Sequence, residues 1–169
     1  MERFLNYAKV CLVLCLCLWG QLRTDAQSLT AKLAATASIT NQSLGEGIAQ
    51  KNQLLLDMVT KAGLMPILSN GEEYTLFAPS ASALTHHQND SPDQLKTYLE
   101  QHIVKGSLTT EDLKDGADLK TINGNSLRIC RKKGELLVSG VKLAKSDQRY
   151  LNGVWHQLNG SFQASKSTF

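Results

Sequence analysis

Four histidines, four cysteines and a basic Arg131-Lys132-Lys133 run are the side chains of this 169-residue chain with chemistry beyond packing. Adjacent residues on a helix face about 100° apart, so His86-His87 is a poor chelating pair and reads as part of a solvated loop. His102 falls on one stripe with Leu95 and Leu99, and His156 alternates with Val154 and Leu158. Both patterns suit packed, hydrogen-bonded imidazoles better than catalysts. The chain has many serines, but no flanking pattern marks one as an activated nucleophile. Gly45-Glu46-Gly47 is half a phosphate loop, and it is acidic and does not follow a strand. A G-x-S-x-G elbow, a Walker loop, H-E-x-x-H and paired C-x-x-C are all absent from the sequence. The sequence thus calls for no catalytic residue, no metal and no cofactor. Arg131-Lys132-Lys133 reads as a solvated hairpin tip, with glycan or anion contact as the sharper alternative. A net charge of +3 without a clustered basic face argues against nucleic acid as a partner.

Three of the cysteines, Cys11, Cys15 and Cys17, lie in the apolar run Val10–Trp19. A spanning helix needs roughly 20 apolar residues, and here Lys9 and Gln21 close the run at either side. A charged start, a short apolar run and the small residues Thr24 and Ala26 make residues 1–26 a secretory signal peptide, cleaved between Ala26 and Gln27. The expected location is secreted: extracellular or periplasmic. Acylation of Cys15 or Cys17 would instead tether the chain to a membrane, although both follow a leucine where lipoprotein signals carry a small residue. After cleavage Cys130 is the one remaining thiol, so no internal disulfide can form in an oxidising compartment. It reads as a strand thiol, with an intermolecular bridge as the alternative. The fold must then rest on its apolar core. Asn41, Asn89 and Asn159 head Asn-x-Ser sequons, which matter only in a eukaryotic secretory pathway.

The elements that would position these residues run helices first and strands last. Leu29, Leu33 and Ala37 recur at helical spacing, and Leu54, Leu55, Met58, Val59 and Ala62 predict a helix over Ile48–Ala62. Gly63 and Pro66 end it, and Leu64, Ile67 and Leu68 suggest an extra turn. Tyr74–Ala78 is an apolar strand stopped by Pro79. Ser91-Pro92-Asp93-Gln94 combines a cap, a first-turn proline and a capping box, and opens a helix whose stripe reaches His102 or Ile103. Thr109 and Asp112 suggest a short helix. From Leu119 onward Asn123-Gly124, Lys133-Gly134, Ser139-Gly140 and Asn152-Gly153 punctuate short strands in an antiparallel meander. The order predicts an α+β fold over residues 27–159, with a flexible polar tail at 160–169.

Three motifs carry a family resemblance. Tyr74–Leu84 (YTLFAPSASAL) resembles the first signature of fasciclin-like domains, in which a strand ends at Phe-Ala-Pro and leads into a helix. His102–Gly106 (HIVKG) resembles the central His-Val/Ile-Val-x-Gly element, and Asn152–Asn159 (NGVWHQLN) the second signature. Their order and spacing also agree, as do LLLDMVTKAGLMPIL, the LKTINGNSL hairpin and Asp147. The resemblance implies a wedge-shaped β-sandwich flanked by helices. It further implies a non-enzymatic module for adhesion or matrix and cell-surface interaction, contacting a protein or glycan. His102, Ile103, Val104, Asn152, Gly153 and His156 are its signature and candidate partner-contact residues. Gln101 stands where an aromatic often precedes the central histidine, and Gln157 and Asn159 replace an apolar residue and an acid. A periplasmic or surface small-ligand carrier or enzyme with a pocket near His102 or His156, and a lipid-tethered envelope protein, are the competing readings.

Overall fold

A computed structural model describes residues 41–163, which hold five helices and seven strands. Helix α1 (Leu44–Lys51) opens on a capping box in which Glu46 N–H reaches Ser43 Oγ and Ser43 N–H reaches Glu46 Oε2. Helix α2 (Gln53–Lys61) follows after one residue. The helix expected over Ile48–Ala62 is therefore two, broken at Asn52. That residue is extended (φ −150°, ψ 91°) and accepts from Leu55 N–H at 3.0 Å, as an N-cap does. Apolar periodicity runs across such a break, because both helices bury the same kind of stripe. Helix α3 (Met65–Ser69) is the extra turn, with its proline in the first turn.

Strand β1 (Tyr74–Ala78) is buried along its whole length. Helix α4 (Ala81–His86) is capped by Ser80, and α5 (Pro92–Glu100) by the Ser91–Gln94 box. The stripe of α5 does not extend to His102. The helix ends at Glu100, and Ile103 already belongs to strand β2 (Ile103–Lys105). Thr109 to Asp112 forms a turn in place of the expected short helix, held by Thr109 N–H and Oγ1 on Asp112 Oδ2.

The meander comprises β3 (Asp118–Lys120), β4 (Ser126–Lys132), β5 (Glu135–Val138), β6 (Val141–Tyr150) and β7 (Gly153–Leu158). Lys133-Gly134 and Ser139-Gly140 have positive φ at both positions, the geometry of the tight hairpin turns their sequence suggests. Sequence reading anticipated antiparallel pairing only. In the structure β7 lies between β6, antiparallel, and β1, parallel, with Thr75 opposite Val154 and Phe77 opposite His156. The intervening chain is the long crossover that a parallel pair requires.

Hydrogen bonding joins all seven strands in the order β2-β1-β7-β6-β5-β4-β3, and a Val104–Thr121 bridge brings the two outer strands together. The sheet thus curls into a near-barrel, and the α+β class is borne out. Phe77, Leu113, Ile129, Val138, Leu158 and Phe162 fill its interior, while Leu44, Leu55, Leu76, Leu95 and Trp155 form a second core involving the helices. The first residues of the expected tail belong to the domain. Gly160 C=O accepts from Ser80 N–H at 2.8 Å, and Phe162 is 4% exposed. A polar sequence hid one aromatic anchor. The stripe at Leu29–Ala37, the expected signal segment with Cys15 and Cys17, and residues 164–169 lie outside the described residues.

Candidate functional site

All six signature residues are interior. His102 and His156 are fully buried, Ile103 and Val104 nearly so, and Asn152 is 5% exposed. Each is placed by a junction between elements. His102 follows α5, so its Nδ1 meets Tyr98 C=O on the last turn at 2.8 Å while Nε2 accepts from Phe162 N–H at 3.2 Å. This pattern fixes the neutral ring with its proton on Nδ1. Burial, far more than the neighbouring His87, pushes its pKa down to about 4. His156 is the mirror case: Nε2–H donates to Leu108 C=O at 2.9 Å and Nδ1 accepts from Asp147 N–H at 3.2 Å. Burial lowers its pKa too, against the opposing pull of that carbonyl bond and of Asp147.

The two imidazoles belong to one line of rings. His156 stacks on Phe77 (5.3 Å between centroids), Phe77 meets Phe162 edge-on (6.1 Å), and Phe162 stacks on His102 (4.6 Å). Tyr98 follows at 4.9 Å, and His87 closes the line at 3.9 Å, its Nδ1 bound to Asp90 at 2.7 Å. With both nitrogens of each buried ring engaged, neither has a lone pair or proton to offer a substrate. His86 does not join this line, so the adjacent pair is split between two environments.

Asn152 ties three elements together. Its Oδ1 accepts from Leu44 N–H at 2.7 Å, and Nδ2 donates to Leu68 and Asn70 C=O at 2.9 and 3.0 Å. Gly153 has φ +147°, and a Cβ there would lie 1.8 Å from Tyr74 O. Gln157, one of the departures from the family pattern, donates through Nε2 to Ala78 and Pro79 C=O at the end of β1. These are folding roles, and as contact residues the six have almost no accessible surface.

What solvent does reach is a cleft on either side of the Gly160–Gln163 strap. One cavity of about 330 Å³ opens toward Asn125, Ser126 and the Ser139-Gly140 turn. A second of about 560 Å³ runs along α5 past Asp93, Gln94 and Tyr98 to His87 and Asp90. Gln101, Ser161, Phe162 and Gln163 line both. Sequence reading missed this cleft, because its walls are scattered polar residues from four separate segments. One signal did point there: Gln101, standing in place of the usual aromatic.

Cys130 is a free, exposed thiol on β4, and the three sequon asparagines are exposed. Among the described residues no cluster of His, Cys, Asp and Glu could hold a metal, and no helix is long and apolar enough to cross a membrane.

The buried signature residues and the curled sheet define a class, and the Fasciclin domain model matches residues 50–162. The chain belongs to the fasciclin domain family. It is 30% identical to the fasciclin-like arabinogalactan protein CTB11 of Cercospora beticola over 66% of its length, and 32% identical to human periostin over 59%. It is 27% identical to the pig transforming growth factor-beta-induced protein ig-h3 over 76%. It spans only 31%, 12% and 20% of those three proteins' lengths. In fold it is similar to a FAS1 domain pair from the insect cell adhesion molecule fasciclin I. That likeness has a TM-score of 0.60 at 17% identity, covering 74% of this chain and 52% of the other.

Proposed function

We propose that the chain is an exported, non-catalytic binding module that mediates adhesion or matrix and cell-surface interaction by contact with a protein or glycan. The family match over residues 50–162 carries this reading, since one of the similar solved structures comes from a cell adhesion molecule. Burial of every signature residue supports it from another side: these motifs build the scaffold, and contact falls to surface residues outside them. The engaged nitrogens of His102 and His156 speak against an acid–base role for either.

Export through cleavage between Ala26 and Gln27 belongs to the same proposal. Intact mass of the protein recovered from its native location tests it: a start at Gln27 supports free export, and an acylated Cys15 or Cys17 replaces it with a lipid tether. Adhesion is tested by retention of labelled protein on the outer surface of the producing cells. Saturable retention that unlabelled protein displaces is expected, and its absence overturns the reading.

A further inference from the structure

The cleft beside the Gly160–Gln163 strap has a chemistry that selects among ligands. Its narrower end is lined by Gln101, Asn125, Ser139, Ser161 and Gln163. Each of these amides and hydroxyls both donates and accepts hydrogen bonds, as the hydroxyls of a sugar do. The other end has a mainly apolar floor formed by Tyr98 and Phe162, beneath the polar edge of Asp93, Gln94 and Thr97. Gln101, 6% exposed, borders both halves; its Nε2 holds Phe162 C=O at 3.3 Å, and its Oε1 accepts no hydrogen bond among the described residues. That acceptor borders open volume, where a ligand hydroxyl can take the place of water.

Charge narrows the choice. The ionisable residues lining the two cavities are His87, Asp90 and Asp93, with no lysine or arginine among them. Sulfated or uronate-rich chains, phosphates and nucleic acid would meet the carboxylates of Asp90 and Asp93, with Lys61 bound to Asp90 C=O at the rim as a partial offset. A peptide adding as an extra strand needs a free sheet edge, and the outer strands β2 and β3 are bridged at Val104–Thr121. Cavities of about 330 and 560 Å³ fall in the range of small-molecule and single-sugar sites.

We propose that this cleft binds a neutral oligosaccharide. Gln101, Asn125, Ser139 and Gln163 hydrogen-bond its hydroxyls, and the mainly apolar half of the cleft takes the C–H surface of an adjoining ring. The inference rests on the reading of the chain as a surface-contact module, and it names the class of ligand taken at one place on that surface.

The test uses protein made in a bacterial host, so that Asn89 and Asn159 carry no glycan of their own. An array presenting gluco-, galacto- and N-acetylglucosamine oligosaccharides beside sulfated and uronate chains identifies the neutral probe, and calorimetry measures its affinity. Asn125→Ala with Gln163→Ala is expected to weaken that probe by at least about tenfold, the equivalent of one or two lost hydrogen bonds, with the melting temperature unchanged. Replacing Arg131, Lys132 and Lys133 by alanine, or raising the salt, leaves the affinity as it was. Gln101→Leu, close in volume, abolishes binding if it folds; the surface pair decides the matter if it does not. The proposal is overturned if no neutral probe binds, if the Asn125/Gln163 pair binds it normally, or if sulfated chains bind best through the basic hairpin. Cell-surface retention that persists while neutral probes fail removes the cleft alone. Loss of retention altogether removes the underlying reading as well.

Discussion

The backbone N–H of Phe162 donates to Nε2 of His102, a residue 60 positions earlier, and the two rings stack at 4.6 Å. One imidazole thereby anchors the end of the domain, and it does so only while neutral. Protonation would set N–H against N–H.

The first prediction follows from that sign. A histidine whose folded pKa lies at about 4, below its unfolded value near 6.5, binds its proton more readily in the unfolded chain. Its contribution is fully present above pH 6.5 and is lost as pH falls toward 4. His156 is shifted in the same direction. Around His102 the facing groups are Tyr98 and His87, with Asp90 behind His87. The melting temperature should therefore drop steeply between pH 6.5 and 4, and His102→Gln should flatten part of that slope.

Phe162 should behave as a core residue despite lying in a polar stretch. Phe162→Ala is expected to destabilise by roughly 3 kcal/mol or more, as for other buried aromatics. Urea denaturation of the variant and of a chain ended after Gly160 measures this. An unchanged midpoint in either would contradict the packing described.

Gly153→Ala places a methyl group on Tyr74 O, and its φ of +147° strains any other residue. The loss should reach about 4 kcal/mol or more, among the largest single-site effects. Yield of soluble protein and its denaturation midpoint provide the readout.

Asn152→Ala leaves Leu44 N–H, Leu68 C=O and Asn70 C=O without their partner. A loss of about 2–4 kcal/mol is expected from buried groups left unpaired. Asn152→Asp should be worse, since a carboxylate would face two carbonyl oxygens. Equilibrium unfolding of the pair orders them.

Asp147 is a non-glycine residue at φ +57°, held there because Oδ1 and Oδ2 accept from Thr110 N–H and Oγ1 at 2.7 and 2.5 Å. Asp147→Ala loses both bonds and keeps the strain. Asp147→Gly loses the bonds but relieves the backbone, so it should be the less damaging of the two by about 1 kcal/mol in thermal unfolding.

Local chemistry was what could be read from the chain. The Ser91–Gln94 box, the first-turn Pro92 and the positive-φ turns at Lys133-Gly134 and Ser139-Gly140 follow from residues within four positions of one another. The split at Asn52 was hidden, because an amide that ends one helix and caps the next leaves the apolar spacing intact. The burial of Phe162 and the hydrogen bonds of Gln157 to β1 depend on partners far along the chain, which periodicity cannot register. The same holds for the cleft, assembled from α5, the β3–β4 turn, the β5–β6 turn and the strap. The histidines were legible as packed residues, and their bonding to Leu108 and Phe162 was not.

Strand β7 sits between β1 and β6, and its parallel partner lies 79 residues upstream. Closing so large a loop must precede the contacts that reward it, which places this domain among slow folders. A nascent chain emerging from the ribosome has β1 and the helices long before the strand that joins β1 to the meander. Until Gly153–Leu158 appears, β1 has an unfilled edge and the core stays open. The delay makes β7 and the strap that follows it, residues 153–163, the step that commits the whole domain.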